Sequence, residues 1–319
     1  MNYKVLIPQD IAQEGKDFLL EKGYEVKVGS GTDEATVIAE GKDADAVLLR
    51  TSVVDRKILE SLPNVKIVAR HGVGFDNVDI QAAADLGIWV TNTPLSNAKT
   101  VAETTFALIL TAAKNIIDVS QKMREGDFFY KNQHKGMDLE GKKLGILGFG
   151  RIGKMVAKQA DAFDMEVLVY DPFVSSSVEG FPNIKIVDRE ELFKQADIVT
   201  LHLPSTDETK NSIGETEFSL MRESAFFINL ARGEIVNEPE LISALQNKQI
   251  RGAVLDVFSQ EPLPMDHPLF DLENVILTPH IASNTEECMA RMALHAAMEI
   301  DRVLSGQKPS WPVNSPQQL

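Results

Sequence analysis

The chain has 319 residues, 44% of them hydrophobic, enough for two domains of ordinary size. Its 47 acidic and 32 basic residues leave a net charge of -15, which argues against nucleic acid or an anionic membrane as partner and requires any anionic substrate to be held by locally placed arginines. The single cysteine, Cys288, excludes an internal disulfide and suits the reducing cytoplasm, and neither a signal-peptide run nor an apolar stretch long enough to span a bilayer is present.

The first hundred residues alternate short apolar runs with helical spacing. Strands are predicted at Val5-Leu6-Ile7, 25–28, 46–49, 67–69 and 88–90, and helices at 10–22, 33–40, 55–60 and 78–86. Such alternation implies a parallel sheet covered by helices on both faces. Residues 97–124 predict one long helix, because Ala102, Phe106, Ile109, Leu110, Ala113 and Ile117 recur at three- and four-residue steps. Residues 125–141 are polar and turn-rich, with Phe128, Phe129 and Tyr130 among them. They are expected to form an extended arm between domains or toward a partner subunit, or else a simple surface loop.

Residues 142–147 then read as a buried strand that runs into Gly148-Phe-Gly150-Arg-Ile-Gly153. Residues 151–163 have helical spacing, with Ile152, Val156, Ala160 and Phe163 on one face, and residues 166–170 form a strand that delivers Asp171. A glycine triplet framed by strand and helix, with an acid ending the next strand, is the pattern of a dinucleotide site. Gly148 permits the turn, Gly150 lets a pyrophosphate approach the backbone, and Gly153 lets helix and strand pack closely. The helix N-terminus offers free N–H groups to the phosphates. Asp171 is placed to accept hydrogen bonds from ribose hydroxyls and would repel a 2′-phosphate. The next residues, Pro172-Phe173-Val174, supply no cation, so NAD is expected over NADP.

After Asp171, strands are predicted at 198–202, 225–229, 252–256 and 275–278, with helices at 189–195, 215–221, 238–247 and 284–305. The segment after 305 is expected to return to the edge of the first domain, and residues 315–319 to fray. The expected fold is thus α/β with two doubly wound parallel-sheet domains. A Rossmann nucleotide domain at 98–284 is inserted into a flavodoxin-like substrate domain made of 1–97 and 285–319, with chemistry expected in a cleft between them.

Ligands of open α/β sheets lie beyond the carboxyl ends of strands. Those ends carry His202, Arg232, Asp256 followed by Glu261, and His280. Arginine, glutamate and histidine together suit hydride exchange at a carbinol carbon. His280 can move the hydroxyl proton, Glu261 can favour the imidazolium, and Arg232 can grip a carboxylate and polarise the adjacent carbonyl. His202 reads as a packing residue near the cofactor. His134, His267 and His295 read as exposed or structural, and Cys288 as inert core on the last helix.

The chain resembles the D-isomer-specific 2-hydroxyacid dehydrogenases, among them most the D-3-phosphoglycerate dehydrogenases. The resemblance rests on Arg70-His-Gly-Val-Gly-Phe-Asp-Asn77, Asn92-Thr-Pro94, Val101-Ala-Glu103, Leu147-Gly-Phe-Gly-Arg-Ile-Gly153, Leu201-His-Leu-Pro204, Asn229-Leu-Ala-Arg-Gly233, Leu255-Asp-Val-Phe258, Glu261-Pro and Pro279-His-Ile-Ala282. It implies that Arg232, Glu261 and His280 are catalytic. It implies that Asp256 holds the nicotinamide carboxamide, and that Arg151, Ile152, Leu203, Pro204 and Ala231 complete the cofactor contacts of Gly148, Gly150, Gly153, Asp171 and His202. The backbone N–H groups of Val73 and Gly74 are implied to receive the substrate carboxylate. Arg50 and Arg70 would face the anionic tail of a phosphorylated substrate, which makes D-3-phosphoglycerate the first expectation. His71, where a small residue is usual, and Ser283, where glycine is usual, depart from that pattern. The alternatives are a reductase of glyoxylate, hydroxypyruvate or another 2-keto acid, and an NAD-sensing binding protein like the dehydrogenase-related corepressors. A homodimer is implied, no metal is expected, and no carboxy-terminal regulatory domain is expected beyond residue 319.

Overall fold

In a computed structural model, which describes residues 3–174 and 177–316, the apolar runs become strands and the helical spacings become helices, in strict alternation over most of the chain. In chain order these are β1 (Lys4–Ile7), α1 (Gln13–Glu21), β2 (Glu25–Val28), α2 (Glu34–Gly41), β3 (Ala46–Leu49), α3 (Arg56–Glu60), β4 (Ile67–Arg70), α4 (Ile80–Asp85), β5 (Trp89–Thr91), α5 (Ala98–Ala113), α6 (Ile116–Arg124), β6 (Lys143–Leu147), α7 (Arg151–Asp161), β7 (Glu166–Tyr170), β8 (Ile184–Ile186), α8 (Arg189–Gln195), β9 (Ile198–Leu201), α9 (Glu215–Leu220), β10 (Phe226–Asn229), α10 (Glu238–Gln246), β11 (Gly252–Leu255), β12 (Val275–Leu277) and α11 (Glu286–Leu304). The chain divides into two compact units, one of Met1–Ala98 with Ser283–Leu319 and one of Lys99–Ala282.

The first unit holds a five-stranded sheet in the order β2-β1-β3-β4-β5, parallel throughout. This is the flavodoxin-like doubly wound order. Its central strands β3 and β4 are apolar runs because both faces are covered. One face packs under Val37, Ile58 and Leu59. The other packs under α11, through Ala293, Ala296, Ala297 and Ile300. Small residues let α1 and α11 approach closely. A side chain on Gly15 would meet the Ala293 carbonyl at 2.8 Å. The segment after α11 does return to this sheet: Pro312 bridges Thr91, and Val313 N–H donates to Val90 O. Residues 317–319, most of the tail expected to fray, lie outside the described residues.

The second unit holds a seven-stranded parallel sheet in the order β12-β11-β10-β9-β6-β7-β8. Counted from β6 this is the Rossmann order 3-2-1-4-5-6 with one strand added, and its switch point lies between β6 and β9. The glycine motif sits at that point.

The single helix expected over 97–124 is two helices instead. Asn115 takes a left-handed conformation (φ 53°), and α5 and α6 meet at a bend of 59°. Asparagine tolerates that geometry, and its side chain bonds across to the carbonyls of His134 and Lys135. Meanwhile Met137 N–H donates to Ala113 O, so the returning arm caps the end of α5. Periodicity persists through the break, which is why it was invisible in the sequence. Similarly, α7 ends at Asp161, and Phe163 lies in the following turn, stacked on Phe106 at 5.4 Å. Among the described residues no single helix is long and apolar enough to cross a membrane.

Candidate active site

The three glycines of the motif have different reasons to be glycine. Gly148 has φ 92°, and a side chain there would strike the His202 carbonyl at 2.5 Å. On Gly153 it would strike the Gly148 carbonyl at 2.2 Å. Nothing lies within 4 Å of the place a Gly150 side chain would occupy, so the fold itself does not demand glycine there. Gly150 is exposed and caps α7, whose first N–H groups, on Arg151 and Ile152, follow it. A bare backbone at a helix N-terminus is the cradle a pyrophosphate fits. Asp171 directly follows β7 and braces this loop, accepting N–H bonds from Phe149 (2.7 Å) and Phe173 (2.8 Å).

His202 follows β9 and is the packing residue expected. Its ring nitrogen lies 3.2 Å from Thr200 Oγ1, and burial pushes its pKa down to about 3, so it is neutral. Leu203 flanks Gly148, and Pro204 is exposed with its carbonyl bonded to Thr209.

At the end of β10, the buried Asn229 folds the next turn around itself. Its side chain accepts from Ala231 N–H at 3.0 Å and donates to Arg232 O at 2.9 Å. Sequence reasoning gave Asn229 no role, although an asparagine closing a strand before a tight turn is the available signal. The Arg232 guanidinium turns back on its own loop, donating to Ala231 O at 2.7 Å. The adjoining Gly233 packs against the backbone of Phe258 and Ser259, which lead to Glu261. Ser259 is in turn held by Glu238 at the start of α10, which also lies 3.2 Å from His267.

Glu261 Oε1 accepts from Phe258 N–H at 3.0 Å, and Oε2 lies 2.8 Å from His280 Nδ1. Burial works to raise the Glu261 pKa. The hydrogen bond and charge of His280, the Phe258 N–H and the charge of Arg232 outweigh it, and the net shift is downward. His280 is shifted upward, first by its hydrogen bond to Glu261. Burial opposes this, the charges of Glu261 and Asp256 add to it, and Arg232 opposes it. The second unit thus brings Arg232, Glu261 and His280 into one electrostatic group. Because Nδ1 is committed to Glu261, Nε2 is the nitrogen left for a substrate. An apolar cavity of about 440 Å³ opens beside the pair, walled by Phe258, Pro262, Leu263, Phe270 and Leu277.

In the first unit, Arg50 donates to Asp10 O at 2.8 Å. Arg70 donates from Nε to Gly74 O at 2.8 Å and from one terminal nitrogen to the carbonyls of Leu49 and Arg50. Much of its fork therefore braces the 70–74 loop. Asn92 holds Val73 O at 2.7 Å. Among the described residues no hydrogen bond reaches the N–H groups of Val73 and Gly74, whose carbonyls are both taken. His71 lies buried against α11, 3.3 Å from Met289 O, and burial lowers its pKa to about 4. Its bulk thus turns into the core.

Comparison with known proteins gives the family. A model described as the D-isomer specific 2-hydroxyacid dehydrogenase NAD binding domain matches residues 106–282. The chain is 39% identical to a D-3-phosphoglycerate dehydrogenase of Methanocaldococcus jannaschii over 98% of its own length and 60% of that protein. It is 37% identical to a glyoxylate reductase of Korarchaeum cryptofilum over 98% of its own length and 96% of that protein. A crystal structure of the TT0316 protein of Thermus thermophilus superposes with a TM-score of 0.90 at 34% identity, covering 97% of this chain and 99% of that one. The chain belongs to the D-isomer specific 2-hydroxyacid dehydrogenases. It carries that family's NAD-binding domain, and its cofactor is a nicotinamide dinucleotide. It spans about 60% of the length of the phosphoglycerate dehydrogenase it matches.

Proposed function

We propose that this protein interconverts a small D-2-hydroxy acid and its 2-keto acid with NAD, and that D-3-phosphoglycerate is the first substrate to test. The observation that carries the reading is the 2.8 Å contact between Glu261 and His280, with Arg232 acting electrostatically on both. Bound NAD supplies the hydride acceptor at the substrate C2. His280 Nε2 takes the hydroxyl proton as C2 is oxidised, or returns it when the ketone is reduced. Glu261 holds the ring through Nδ1 and stabilises the imidazolium that forms. Arg232 binds the carboxylate and polarises the C2 oxygen. In the first unit, the N–H groups of Val73 and Gly74 suit a carboxylate. Asp171, directly after β7, favours ribose hydroxyls over a 2′-phosphate and so NAD over NADP.

A second reading is reduction of glyoxylate or hydroxypyruvate, in which no phosphate is bound. It is favoured by Arg70, whose Nε and one terminal nitrogen already serve backbone carbonyls. It is favoured also by the near full-length match to a glyoxylate reductase. A panel of specificity constants for phosphohydroxypyruvate, hydroxypyruvate and glyoxylate separates the two. If Arg50→Ala and Arg70→Ala leave the constant for the phosphorylated acid unchanged, the phosphate reading is wrong. A homodimer is part of this reading and is supported by Ile116, Ile117, Met123, Phe128 and Phe129, which are all at least 48% exposed on α6 and the arm. A monomer by light scattering at micromolar concentration would refute it.

A further inference from the structure

The turn that carries His280 is gathered onto one buried carboxylate. Asp256 follows β11 and is wholly inaccessible to solvent. Its Oδ1 accepts from Thr278 Oγ1 at 2.6 Å and from Ile281 N–H at 2.8 Å, and its Oδ2 accepts from Ala282 N–H at 2.8 Å. These donors lie on both sides of His280, which adopts the left-handed backbone conformation (φ 53°) that residues with a side chain rarely take. The His280 N–H closes a tight turn onto Thr278 O, and Thr104 Oγ1 fixes the far end at Ala282 O. A strained residue persists only where its surroundings over-determine it, and here Asp256 supplies most of the determination.

We propose that Asp256 is a positioning residue. Its carboxylate clamps the 278–282 turn so that His280 holds its left-handed backbone and keeps Nδ1 on Glu261 and Nε2 on the substrate. This rests on the catalytic reading of His280. It differs from the carboxamide grip implied by family resemblance, because the three hydrogen bonds of the carboxylate go to the turn itself and no surface of the side chain is exposed. Asparagine in its place would turn an N–H donor toward the N–H of Ile281 or of Ala282 and break the clamp on one side of the strained residue.

Two variants test the clamp. Asp256→Asn removes an acceptor but also a charge that acts on His280, together with Glu261 and Arg232. Thr278→Val removes one bond of the clamp and no charge. The clamp predicts that Asp256→Asn lowers kcat by about 100-fold, the loss that misplacement by an ångström produces, while NAD binding by fluorescence titration is unchanged. Thr278→Val should lower kcat several-fold, and in the free protein its His280 ring signals, followed by NMR, should titrate at a lower pH than in the wild type. If both variants keep kcat and the His280 titration while NAD affinity falls, Asp256 grips the cofactor and the clamp is wrong. If they lose only thermal stability, with kcat per folded molecule and the titration unchanged, the role is structural and the clamp is equally wrong. Should Asp256→Asn fail to fold, Thr278→Val decides alone. Should the wild type turn over none of the acids above, the catalytic reading fails, and the NMR titration still decides whether Asp256 holds the ring.

Discussion

Gly233 offers the sharpest perturbation of the arrangement, because it is where the loop of Arg232 meets the loop of Glu261. A methyl group on Gly233 would lie 2.0 Å from both the carbonyl carbon and oxygen of Phe258, and 2.5 Å from the Ser259 nitrogen. Ordinary contact begins at 3.4 Å, so the two strands of backbone must part by about 1.4 Å (3.4 minus 2.0). Neither neighbour is a side chain that can rotate away. The displacement is passed on directly, since Arg232 is covalently next to Gly233 and Phe258 N–H is bonded to Glu261 Oε1. Overpacking of this kind costs roughly 1–3 kcal/mol of stability. Misplacing reacting groups by about 1 Å costs about 100-fold in rate. Gly233→Ala should therefore lower the urea midpoint and reduce kcat by about that factor in an NADH absorbance assay, with NAD affinity close to wild type. A Gly233→Ala protein with wild-type kcat and urea midpoint would refute the claim that backbone contact sets the spacing of Arg232 and Glu261.

Asp171→Ala should weaken NAD and relax the preference against NADP, read as the ratio of specificity constants. An unchanged ratio would count against a ribose contact. Keto-acid reduction needs the His280 imidazolium, so its kcat/KM should fall as pH rises through the raised His280 pKa, while hydroxy-acid oxidation should rise there. In Glu261→Gln both limbs should move to lower pH, because the bond and charge that raise the pKa are gone. Limbs that stay in place would contradict the pairing. His71 and His202, held neutral by burial with pKa values of about 4 and about 3, refuse protons that an unfolded chain accepts below 6.5. Their stabilisation is complete above 6.5 and is lost as pH falls toward those values, by about 1.4 kcal/mol per pH unit for each histidine. His71→Gln and His202→Gln should each flatten the urea-midpoint profile between pH 6 and 4.5, and a profile unchanged by either would be inconsistent with neutral burial.

The Rossmann half of the fold was legible because its signals are local. An apolar run, Gly148, Gly150, Gly153 and Asp171 lie within thirty residues, and Gly148 and Gly153 each answer a backbone or packing requirement. The parallel, doubly wound character of both sheets followed from the alternation of short strands with helices. What escaped notice depends on contacts distant in sequence. The break at Asn115 is made by residues 134–137, and apolar periodicity runs straight through it. The three-residue edge strand β8 is too short and too half-exposed to stand out. At the site, spacing supplied the residue types Arg232, Glu261 and His280, but nothing in it could show that Arg70 turns to backbone carbonyls or that Asn229 folds the arginine turn. Asp256 stood out in the sequence as a strand-end acid. Only coordinates reveal that it is sealed from solvent and bonded on both sides of His280.

The most direct measurement is NADH oxidation by wild-type protein and His280→Ala, with glyoxylate, hydroxypyruvate and phosphohydroxypyruvate, beside NADH binding to both. The account predicts turnover of at least one acid by the wild type and a loss of kcat of about 100-fold or more in the variant, with NADH affinity retained. Wild-type kcat in His280→Ala would contradict it.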